Sequence, residues 1–395
     1  MPMTRRTFLA SSAVMSSALA LDPVAKDNAK YTACVIGDTK NGGYGHDLHK
    51  SFDLNPDVKI TGLADPDEAG RAKRAAECGT ANTYADYRDM LEKESPDIVI
   101  VGPRWTTTHK DYVLTCAEAG CHGFMEKHLC VDLEEADEMI EAVNTKNLKW
   151  GLAYNFRVVP WMEDVRRLVV DEKLLGTVVE LRARGKEDHR AGAEDLIVLG
   201  THAFDMMCYI MGDPLWCQSD ITHNGKAATP AHVREASEPL GSVVGNRLHA
   251  SYGFAQGVVG TFSSMFTKEG NGLRWGLDIC GTKGIISIRL NTKNGIPLVH
   301  WLEDSIWTSG PRKTAWKPLP DVKPYTFEDQ VRQRYLPITQ SVSDTIGTDQ
   351  KPIASFEDGR RAQEMIQGCF ASHVQGGAKV TIPLTDRSHP LKGWS

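Results

Sequence analysis

The chain has 395 residues, of which 41 % are hydrophobic and 24 % are charged, and its formal net charge is −6. This length is too great for one ordinary domain and suits two, and the composition is that of a globular protein. The acidic balance provides no basic face for nucleic acid and no polybasic patch for a membrane surface, so we expect neither as a partner.

The N-terminus has the form of an export signal. Residues 4–9 read Thr-Arg-Arg-Thr-Phe-Leu, an apolar run covers residues 10–21, and residues 18–20 have the small-x-small form of a leader-peptidase site. The apolar run is too short to span a bilayer permanently. We therefore expect residues 1–20 to be a twin-arginine signal peptide, with the twin-arginine translocase as a partner and the periplasm or cell envelope as destination. That route carries proteins that have already folded, often around a cofactor.

Nine cysteines are spread along the chain, and several of them fall inside apolar strand or helix patterns. Their number is odd, and a protein that folds in the reducing cytoplasm before export does not need disulfides. We therefore expect most of them to be small buried hydrophobic residues.

The segment after the leader predicts a nucleotide phosphate site. Residues 31–36 form an apolar, β-branched run typical of a buried strand, residues 37–45 are rich in glycine, and residues 46–52 suit a helix. Glycines let the backbone approach a pyrophosphate, and a helix N-terminus supplies free N–H groups. The turn is longer than a strict G-x-G-x-x-G, and its candidate cofactor contacts are Gly37, Gly43, Tyr44 and Gly45.

A second strand, Val58–Ala64, ends at Asp65, about 20 residues after the last glycine of the turn. A carboxylate there can accept hydrogen bonds from the adenosine ribose and would repel a 2′-phosphate. Asp65 therefore favours NAD over NADP, although it is also a possible helix cap. Further along the chain, helices are predicted at 68–78, 87–93 and 109–119, and strands at 97–101 and 123–126. This alternation is typical of a doubly wound parallel sheet.

Several motifs give the chain a family resemblance from about residue 32 to residue 383. They are Ala64-Asp65-Pro66, Glu126-Lys127, Asn155-Phe156-Arg157 and Gly200-Thr201-His202-Ala203-Phe204-Asp205. The chain resembles the glucose–fructose oxidoreductase / inositol dehydrogenase / rhizopine-catabolism (Gfo/Idh/MocA) superfamily. The resemblance implies an α/β protein with an NAD-binding Rossmann domain at 30–150, a C-terminal α/β domain with a large open, mainly antiparallel sheet at 151–383, and a tail at 384–395. It also implies a homo-oligomer.

Lys127 is the first candidate catalytic residue. It lies at the carboxyl end of a predicted strand, where open α/β sheets bind ligands, and an ammonium there can stabilise a developing alkoxide. A solvated surface lysine is the alternative that the residue type alone favours, and the resemblance reverses that preference. The family usually reads Glu-Lys-Pro, and His128 replaces the proline here. The resemblance further implies cofactor contacts from Glu126, Pro103, Trp105 and His109, although Trp105 could instead cover the sheet edge.

His202 is the second candidate, on a helix predicted at 202–211 with Thr201 as its cap. An imidazole can accept the hydroxyl proton when a carbinol is oxidised, and Asp205 shares its helix face one turn away. The alternative is a structural helix histidine. Inositol-dehydrogenase-like members carry an aspartate four residues before this histidine, where Val198 stands here.

Two further residues are candidate substrate contacts. Asp195 could reach the site from the loop before the helix and take the place of the missing family aspartate. Arg157 resembles a position that lines the active cleft, and a structural ion pair is the equal alternative. Residues 187–195, His202 and Asp205 form a cluster of potential metal ligands, but no strong metal spacing occurs, so we expect no metal.

The remaining elements suit an open sheet with helices. Strands are predicted at 176–184, 248–254, 258–263, 275–280, 284–290 and 380–383, with an irregular stretch at 291–324 and helices at 327–346 and 355–374. The second of those helices begins at a capping box, Ser355 to Asp358.

We therefore predict an NAD-dependent oxidoreductase that transfers hydride between the nicotinamide and a hydroxyl or carbonyl group of a sugar, cyclitol or related polyol. The alternative is a redox-neutral NAD-dependent glycoside hydrolase, lyase or epimerase that works through a transient keto-sugar. Val198 favours this alternative because it breaks the usual dehydrogenase set, and an exported enzyme has no supply of free NAD, so we expect NAD to be tightly bound. A non-catalytic binding protein is a third possibility, and the presence of Lys127 and His202 argues against it.

Overall fold

The computed structural model describes residues 28–267, 272–292, 298–304, 314–320, 322 and 334–394. The expected twin-arginine leader, residues 1–20, lies outside these residues. Within them, no helix has both the length and the apolar character that crossing a bilayer would require. All nine cysteines are free thiols and eight of them are buried, which confirms that they act mostly as small hydrophobic residues.

Six parallel strands form the first sheet. They are β1 (Tyr31–Ile36), β2 (Val58–Ala64), β3 (Asn82–Tyr84), β4 (Ile98–Val101), β5 (His122–Met125) and β6 (Trp150–Leu152). Their order is β3-β2-β1-β4-β5-β6, so the predicted doubly wound sheet is confirmed. The order reverses between β1 and β4, and such folds bind ligands at the carboxyl ends of the strands at this point.

Four helices cover this sheet: α1 (Glu68–Cys78), α2 (Tyr87–Glu94), α3 (His109–Glu118) and α4 (Leu133–Thr145). Aspartate side chains cap three of them, at Asp67, Asp86 and Asp132. The prediction of a helix over residues 46–52 is wrong in its extent. Only a 3₁₀ turn forms there, Leu48–Lys50, because Asp47 adopts a left-handed conformation with φ of 63° that no helix continues through.

Ten strands of the described ranges form the second sheet. They are β7 (Val178–Arg184), β8 (Trp216–His223), β9 (Lys226–Ala227), β12 (Arg247–Gly253), β13 (Val259–Met265), β14 (Gly276–Gly281), β15 (Ile285–Arg289), β16 (Leu298–Leu302), β17 (Lys317–Pro318) and β18 (Val380–Thr381). The order is β17-β16-β15-β14-β7-β13-β12-β8-β18, with β9 also paired to β8. The pairs are antiparallel apart from β7 with β13, which confirms the predicted sheet. A separate hairpin joins β10 (Val233–Glu235) to β11 (Ser242–Val244).

The expectation that residues 291–324 are irregular is wrong in part, because β16 and β17 extend the sheet within this stretch. Most of β16 is only half-buried, so its sequence lacks the clear alternation of a core strand. Residues 293–297, 305–313, 321 and 323–324 of the stretch lie outside the described residues.

Five further helices lie in the described part of the chain: α5 (Pro160–Arg166), α6 (Ala193–Val198), α7 (Gly200–Met211), α8 (Leu336–Thr345) and α9 (Phe356–Val374). α9 packs on the second sheet, whereas α8 packs on β5 and β6 of the first sheet, with Ile338 and Val342 against Gly151. The capping box at Ser355 and Asp358 is confirmed. Thr201 does not cap α7, because α6 runs almost directly into α7 and Thr201 lies inside it. Its hydroxyl instead lies 2.7 Å from the Tyr154 hydroxyl, after β6. The α6–α7 junction is thereby fixed against the carboxyl end of the first sheet.

Candidate active site

A cavity of about 210 Å³ lies where the carboxyl ends of β5 and β6 meet the α6–α7 junction. Three of the predicted site residues line it, Glu126, Lys127 and His202, together with Val198. The structure thus brings the two candidate catalytic side chains to one space, although 75 positions separate them in the chain.

Lys127 is held by a main-chain group. Its Nζ donates a hydrogen bond of 3.1 Å to the carbonyl oxygen of Val198, and the residue is only 8 % exposed. Burial lowers the pKa of Lys127, and the carboxylates of Glu126 and Glu238 oppose that shift only in part. The backbone of residue 198 therefore provides the acceptor, at the position where the resemblance implied a carboxylate side chain.

Glu126 connects the site to the glycine-rich turn. Its Oε2 accepts a hydrogen bond of 3.0 Å from the backbone N–H of His46 and lies 3.0 Å from His46 Nδ1. Burial acts to raise the pKa of Glu126, but His46 and the charge of Lys127 outweigh it and hold the pKa at about 2. A Cβ at Gly45 would lie 2.1 Å from Oε2, so glycine is required there for this contact.

Aromatic rings enclose His202. Its ring centroid lies 5.0 Å from that of Phe156, 6.0 Å from that of Tyr154 and 6.1 Å from that of Trp275. Burial, followed by the positive charge of Lys127, lowers the pKa of His202 well below its ordinary value. The imidazole is therefore neutral at neutral pH and able to accept a proton. Its Nδ1 is buried and has no hydrogen-bond partner among the described residues.

Asp205 and Arg157 do not line the cavity, in contrast to the catalytic and substrate roles predicted for them. They form a buried ion pair, in which Arg157 Nε lies 3.0 Å from Asp205 Oδ1 and 3.1 Å from Oδ2. Arg157 Nη1 also lies 3.0 Å from Asp358 at the start of α9. This geometry matches the structural alternative for Arg157, and it joins the turn after β6 to α7 and α9.

Asp195 is likewise directed away from the cavity. Its carboxylate accepts hydrogen bonds from the backbone N–H groups of Lys186 and Glu187, at 3.1 and 3.0 Å, and from Ser264 Oγ at 2.5 Å. It therefore shapes the loop between β7 and α6 and does not replace the missing family aspartate beside Lys127. In the part of the chain that the structure describes, no three His, Cys, Asp or Glu side chains form a group suited to a metal ion.

The glycine-rich turn has the features of a pyrophosphate site. Gly42, Gly43 and Gly45 have positive φ, and a Cβ at Gly43 would meet open space within 4 Å. The backbone N–H groups of Gly42, Tyr44 and Gly45 have no acceptor within the described ranges. Unpaired N–H groups at the carboxyl end of β1 are the donors that a pyrophosphate needs, so the turn fits a dinucleotide. Gly37 has a different function, because the Tyr44 ring packs where its Cβ would be.

Asp65 differs from the expectation that its carboxylate is open to the ribose. It is fully buried and accepts hydrogen bonds from Tyr44 Oη at 2.7 Å, Thr39 Oγ1 at 2.6 Å and the Asp67 N–H at 2.9 Å. The carboxylate is thus already saturated within the protein. In this geometry Asp65 fixes the shape of the turn.

The other predicted cofactor contacts lie next to the turn. His109 is fully buried, with Nε2 2.8 Å from the Pro103 carbonyl and Nδ1 2.9 Å from the His128 carbonyl, so it ties the ends of β4 and β5 together. Trp105 lies beside Gly42, where a Cβ would come within 2.8 Å of the Trp105 nitrogen. It is half-buried and covers the edge of the turn.

Sequence reasoning missed several cavity residues, namely His46, Lys186, Arg190, Glu238, Trp275 and Arg334. His46 directly follows the glycine turn, and that position was a usable signal. The others come from segments that follow the first sheet in the chain, where no local motif marks them.

A parallel nucleotide-binding sheet whose carboxyl edge faces a buried lysine and a neutral histidine defines a nicotinamide-dependent oxidoreductase. Comparisons with known proteins agree with this class. Residues 33–154 match an oxidoreductase family described by its NAD-binding Rossmann fold, and residues 180–382 match the C-terminal alpha/beta domain of that family. The chain therefore belongs to the Gfo/Idh/MocA oxidoreductase family, and its cofactor is NAD.

Individual relatives are distant. A levoglucosan dehydrogenase from Pseudarthrobacter phenanthrenivorans is 27 % identical over 256 residues, which cover 58 % of this chain and 64 % of that protein. A myo-inositol 2-dehydrogenase from Thermotoga maritima is 23 % identical over 313 residues, or 78 % of this chain and 86 % of the relative. A solved levoglucosan dehydrogenase in complex with NADH and levoglucosan has a TM-score of 0.68 at 18 % identity, covering 89 % of this chain and 99 % of that one. At that identity the likeness shows the fold alone.

If Asp205 positions Arg157, Asp205→Asn should lower stability while leaving kcat/KM close to that of the wild type. The loss should be about 1–3 kcal/mol, because Asp358 still pairs with Arg157. Thermal melting and steady-state kinetics of the same preparation check this. Asp213→Asn, on an exposed ion pair just after α7, is the matched control and should change little. A fall in kcat/KM of about 100-fold, as the loss of a proton-transfer group causes, would show a catalytic role instead.

If Asp65 shapes the turn, Asp65→Asn should weaken the binding of NAD and NADP together, so the ratio of their dissociation constants stays near the wild-type ratio. The reason is that Tyr44, Thr39 and Asp67 lose a charged acceptor. Calorimetric titration with both dinucleotides measures this, and Tyr44→Phe should give a smaller change of the same kind. A variant that gains NADP affinity while it loses NAD affinity would show direct recognition of the ribose.

Proposed function

We propose that the protein is an NAD-dependent dehydrogenase that oxidises a CH–OH group of a sugar, cyclitol or related polyol. The observation that carries the proposal is the cavity where Lys127 and the neutral His202 meet at the carboxyl edge of the Rossmann sheet. The names of two relatives, levoglucosan dehydrogenase and myo-inositol 2-dehydrogenase, support the substrate class.

The residues of the cavity divide the reaction between them. Bound NAD supplies the hydride acceptor. His202 takes the hydroxyl proton as a neutral base, and the Lys127 ammonium hydrogen-bonds the same substrate oxygen and stabilises its developing negative charge. The turn at residues 37–45, anchored by Glu126 through His46, would hold the dinucleotide. The rings of Phe156 and Trp275 around His202 limit the access of water.

The redox-neutral alternative uses the same hydride step and then returns the hydride to the product. It is supported by one observation, that the Val198 carbonyl accepts the Lys127 hydrogen bond where relatives of the dehydrogenase type would carry a carboxylate. A carbonyl oxygen cannot take up and pass on a proton. A proton therefore cannot leave this site through residue 198.

We also propose that residues 1–20 direct export by the twin-arginine translocase to the periplasm or cell envelope, with NAD already bound, and that the mature protein is a homo-oligomer. The leader proposal rests on the sequence of residues 4–20. An enzyme outside the cytoplasm has no free NAD to exchange, which makes tight retention of the cofactor a requirement of the proposal.

Lys127→Ala and His202→Ala should each lower kcat/KM by about 100-fold to 10,000-fold, because each removes a group that acts on the reacting oxygen. Affinity for NAD should change little in His202→Ala, since that ring belongs to the second domain. Lys146→Ala, an exposed lysine on the surface after α4, is the control and should retain activity. Near-normal turnover by both cavity variants would contradict the assignment of the site.

The pH dependence of kcat/KM should follow the two buried groups. Burial lowers the pKa of His202 well below its ordinary value of about 6.5. The base therefore stays neutral, and activity persists, until the pH falls below this lowered pKa. Burial also lowers the pKa of Lys127, so activity should fall again as the pH rises towards about 10.5. Lys127→Arg should lose this alkaline fall, because guanidinium does not titrate there. An acidic limb above about pH 6.5 would contradict a neutral buried base.

The protein purified without added cofactor should contain close to one equivalent of NAD(H). Denaturation followed by an enzymatic assay of the supernatant for NAD(H) and NADP(H) measures it. An oxidised and reduced mixture that survives exhaustive dialysis supports retention during export and directs substrate searches to paired or redox-neutral sugar reactions. Protein that emerges empty and binds NAD weakly would contradict the retention proposal.

A further inference from the structure

The charge of the cavity is opposite to that of the chain. The whole sequence has a formal net charge of −6, but among the described residues five cationic side chains and two carboxylates line the cavity. The cations are Arg104, Lys127, Lys186, Arg190 and Arg334, and the acids are Glu126 and Glu238. A site enclosed by protein and lined mainly by one sign of charge attracts a ligand of the other sign.

The cofactor accounts for only part of this charge. The Arg104 N–H donates to the Gly42 carbonyl at 3.2 Å, which places this residue beside the turn that would hold the pyrophosphate. Lys127 acts on the reacting oxygen. Lys186, Arg190 and Arg334 instead come from segments that follow the strands of the first sheet in the chain, the first two in the loop between β7 and α6 and the third just before α8.

Arg190 is oriented as an anion receptor. Asp188, which is not among the lining residues, accepts hydrogen bonds from Arg190 Nε at 3.1 Å and from Nη2 at 2.6 Å. Nη1 has no acceptor in the described chain, and the side chain is only 13 % exposed. One edge of the guanidinium is thus fixed by a carboxylate, and the remaining N–H groups are available to a ligand. The Arg190 charge also acts on Lys127, whose pKa it lowers after the larger effect of burial.

Arg334 adds a positive charge that no carboxylate of the described residues pairs with. Its Nε is buried and has no hydrogen-bond partner among the described residues, and no acid within those ranges forms an ion pair with it. Its guanidinium carbon lies 5.8 Å from the Tyr335 ring centre. Lys186 Nζ, on the same loop as Arg190, lies 3.7 Å from Asp188, which is too far for a direct hydrogen bond.

We infer that the substrate carries a negatively charged group, held by Arg190, Arg334 and Lys186 while its CH–OH group reacts between Lys127 and His202. This inference rests on the proposed function and narrows it from polyols in general to sugar acids or sugar phosphates. Arginine forks pair with the two oxygens of a carboxylate or phosphate, and such charge-assisted hydrogen bonds are stronger than those to neutral hydroxyls. A neutral sugar would leave Arg334 without a carboxylate partner among the described residues and would leave the free edge of the Arg190 guanidinium unused.

The test compares matched sugars on the NAD-loaded protein. D-Glucose, D-glucuronate and D-glucose 6-phosphate form one series, and D-galactose, D-galacturonate and D-galactose 6-phosphate form a second. Turnover, followed through the nicotinamide absorbance, and binding, followed through the thermal shift of the holoprotein, are measured for every member. We expect a charged member to exceed its neutral counterpart in kcat/KM by about 10-fold to 100-fold. The uronate and phosphate arms show which anion the site takes.

Two variants connect such a preference to the cavity. Arg190→Gln and Arg334→Gln should each lower kcat/KM for the charged sugar by about 10-fold more than for the neutral sugar, so the ratio of the two values falls by that factor. Arg334→Gln leaves no carboxylate of the described chain unpaired, so it separates lost recognition from the disturbance of Asp188. Arg289→Gln, on an ion pair with Asp278 in the second sheet, is the control and should act like the wild type on both sugars.

Equal kcat/KM and equal thermal shifts for charged and neutral members would overturn the inference and leave the proposed dehydrogenase intact. A charged-sugar preference that both glutamine variants retain would also overturn it, because the preference would then arise elsewhere. No turnover and no binding of any member of either series would contradict the proposed function together with the inference.

Discussion

The hydrogen bond from Lys127 Nζ to the Val198 carbonyl is the contact on which the rest of the site depends. It joins the end of β5 to the α6–α7 junction, and so it connects the nucleotide-binding sheet to the part of the chain that carries His202. A main-chain carbonyl satisfies only one of the three ammonium N–H groups. The others need oxygen atoms within the cavity, and a substrate hydroxyl is the group that the proposed reaction would place there.

Burial then sets the chemistry of the neighbouring groups. Burial of His202 among aromatic rings and the positive charge of Lys127 both lower the pKa of the imidazole, so the histidine is neutral and can accept a proton. Glu126 stays ionised in spite of its burial because His46 and Lys127 are close to it. A neutral base, a cation and an anchored carboxylate can therefore coexist in a small space, each with a separate physical cause. The cations of the β7–α6 loop and of residue 334 are what an anionic substrate would balance.

The elements that follow from local patterns were predictable from the sequence. Unbroken apolar runs marked β1 and β4, the capping box marked the start of α9, and the family motifs identified Lys127 and His202. Contacts between distant segments were not predictable. Nothing near Asp65 indicates that Tyr44 and Thr39 occupy its carboxylate, and nothing near Asp205 indicates that Arg157 and Asp358 complete an ion-pair network. Arg190 and Arg334 reach the cavity only through the tertiary fold, so the positive charge of the site could not be predicted from the sequence.

A crystal structure of the NAD⁺ complex tests the central claim most directly, because it locates the nicotinamide ring relative to Lys127 and His202. The account predicts that nicotinamide C4 faces the cavity and leaves room for a substrate carbon about 3–3.5 Å away, whose oxygen reaches both Lys127 Nζ and the His202 ring. A nicotinamide that binds outside this cavity, or one that fills it and separates the two side chains from any substrate carbon, would contradict the account.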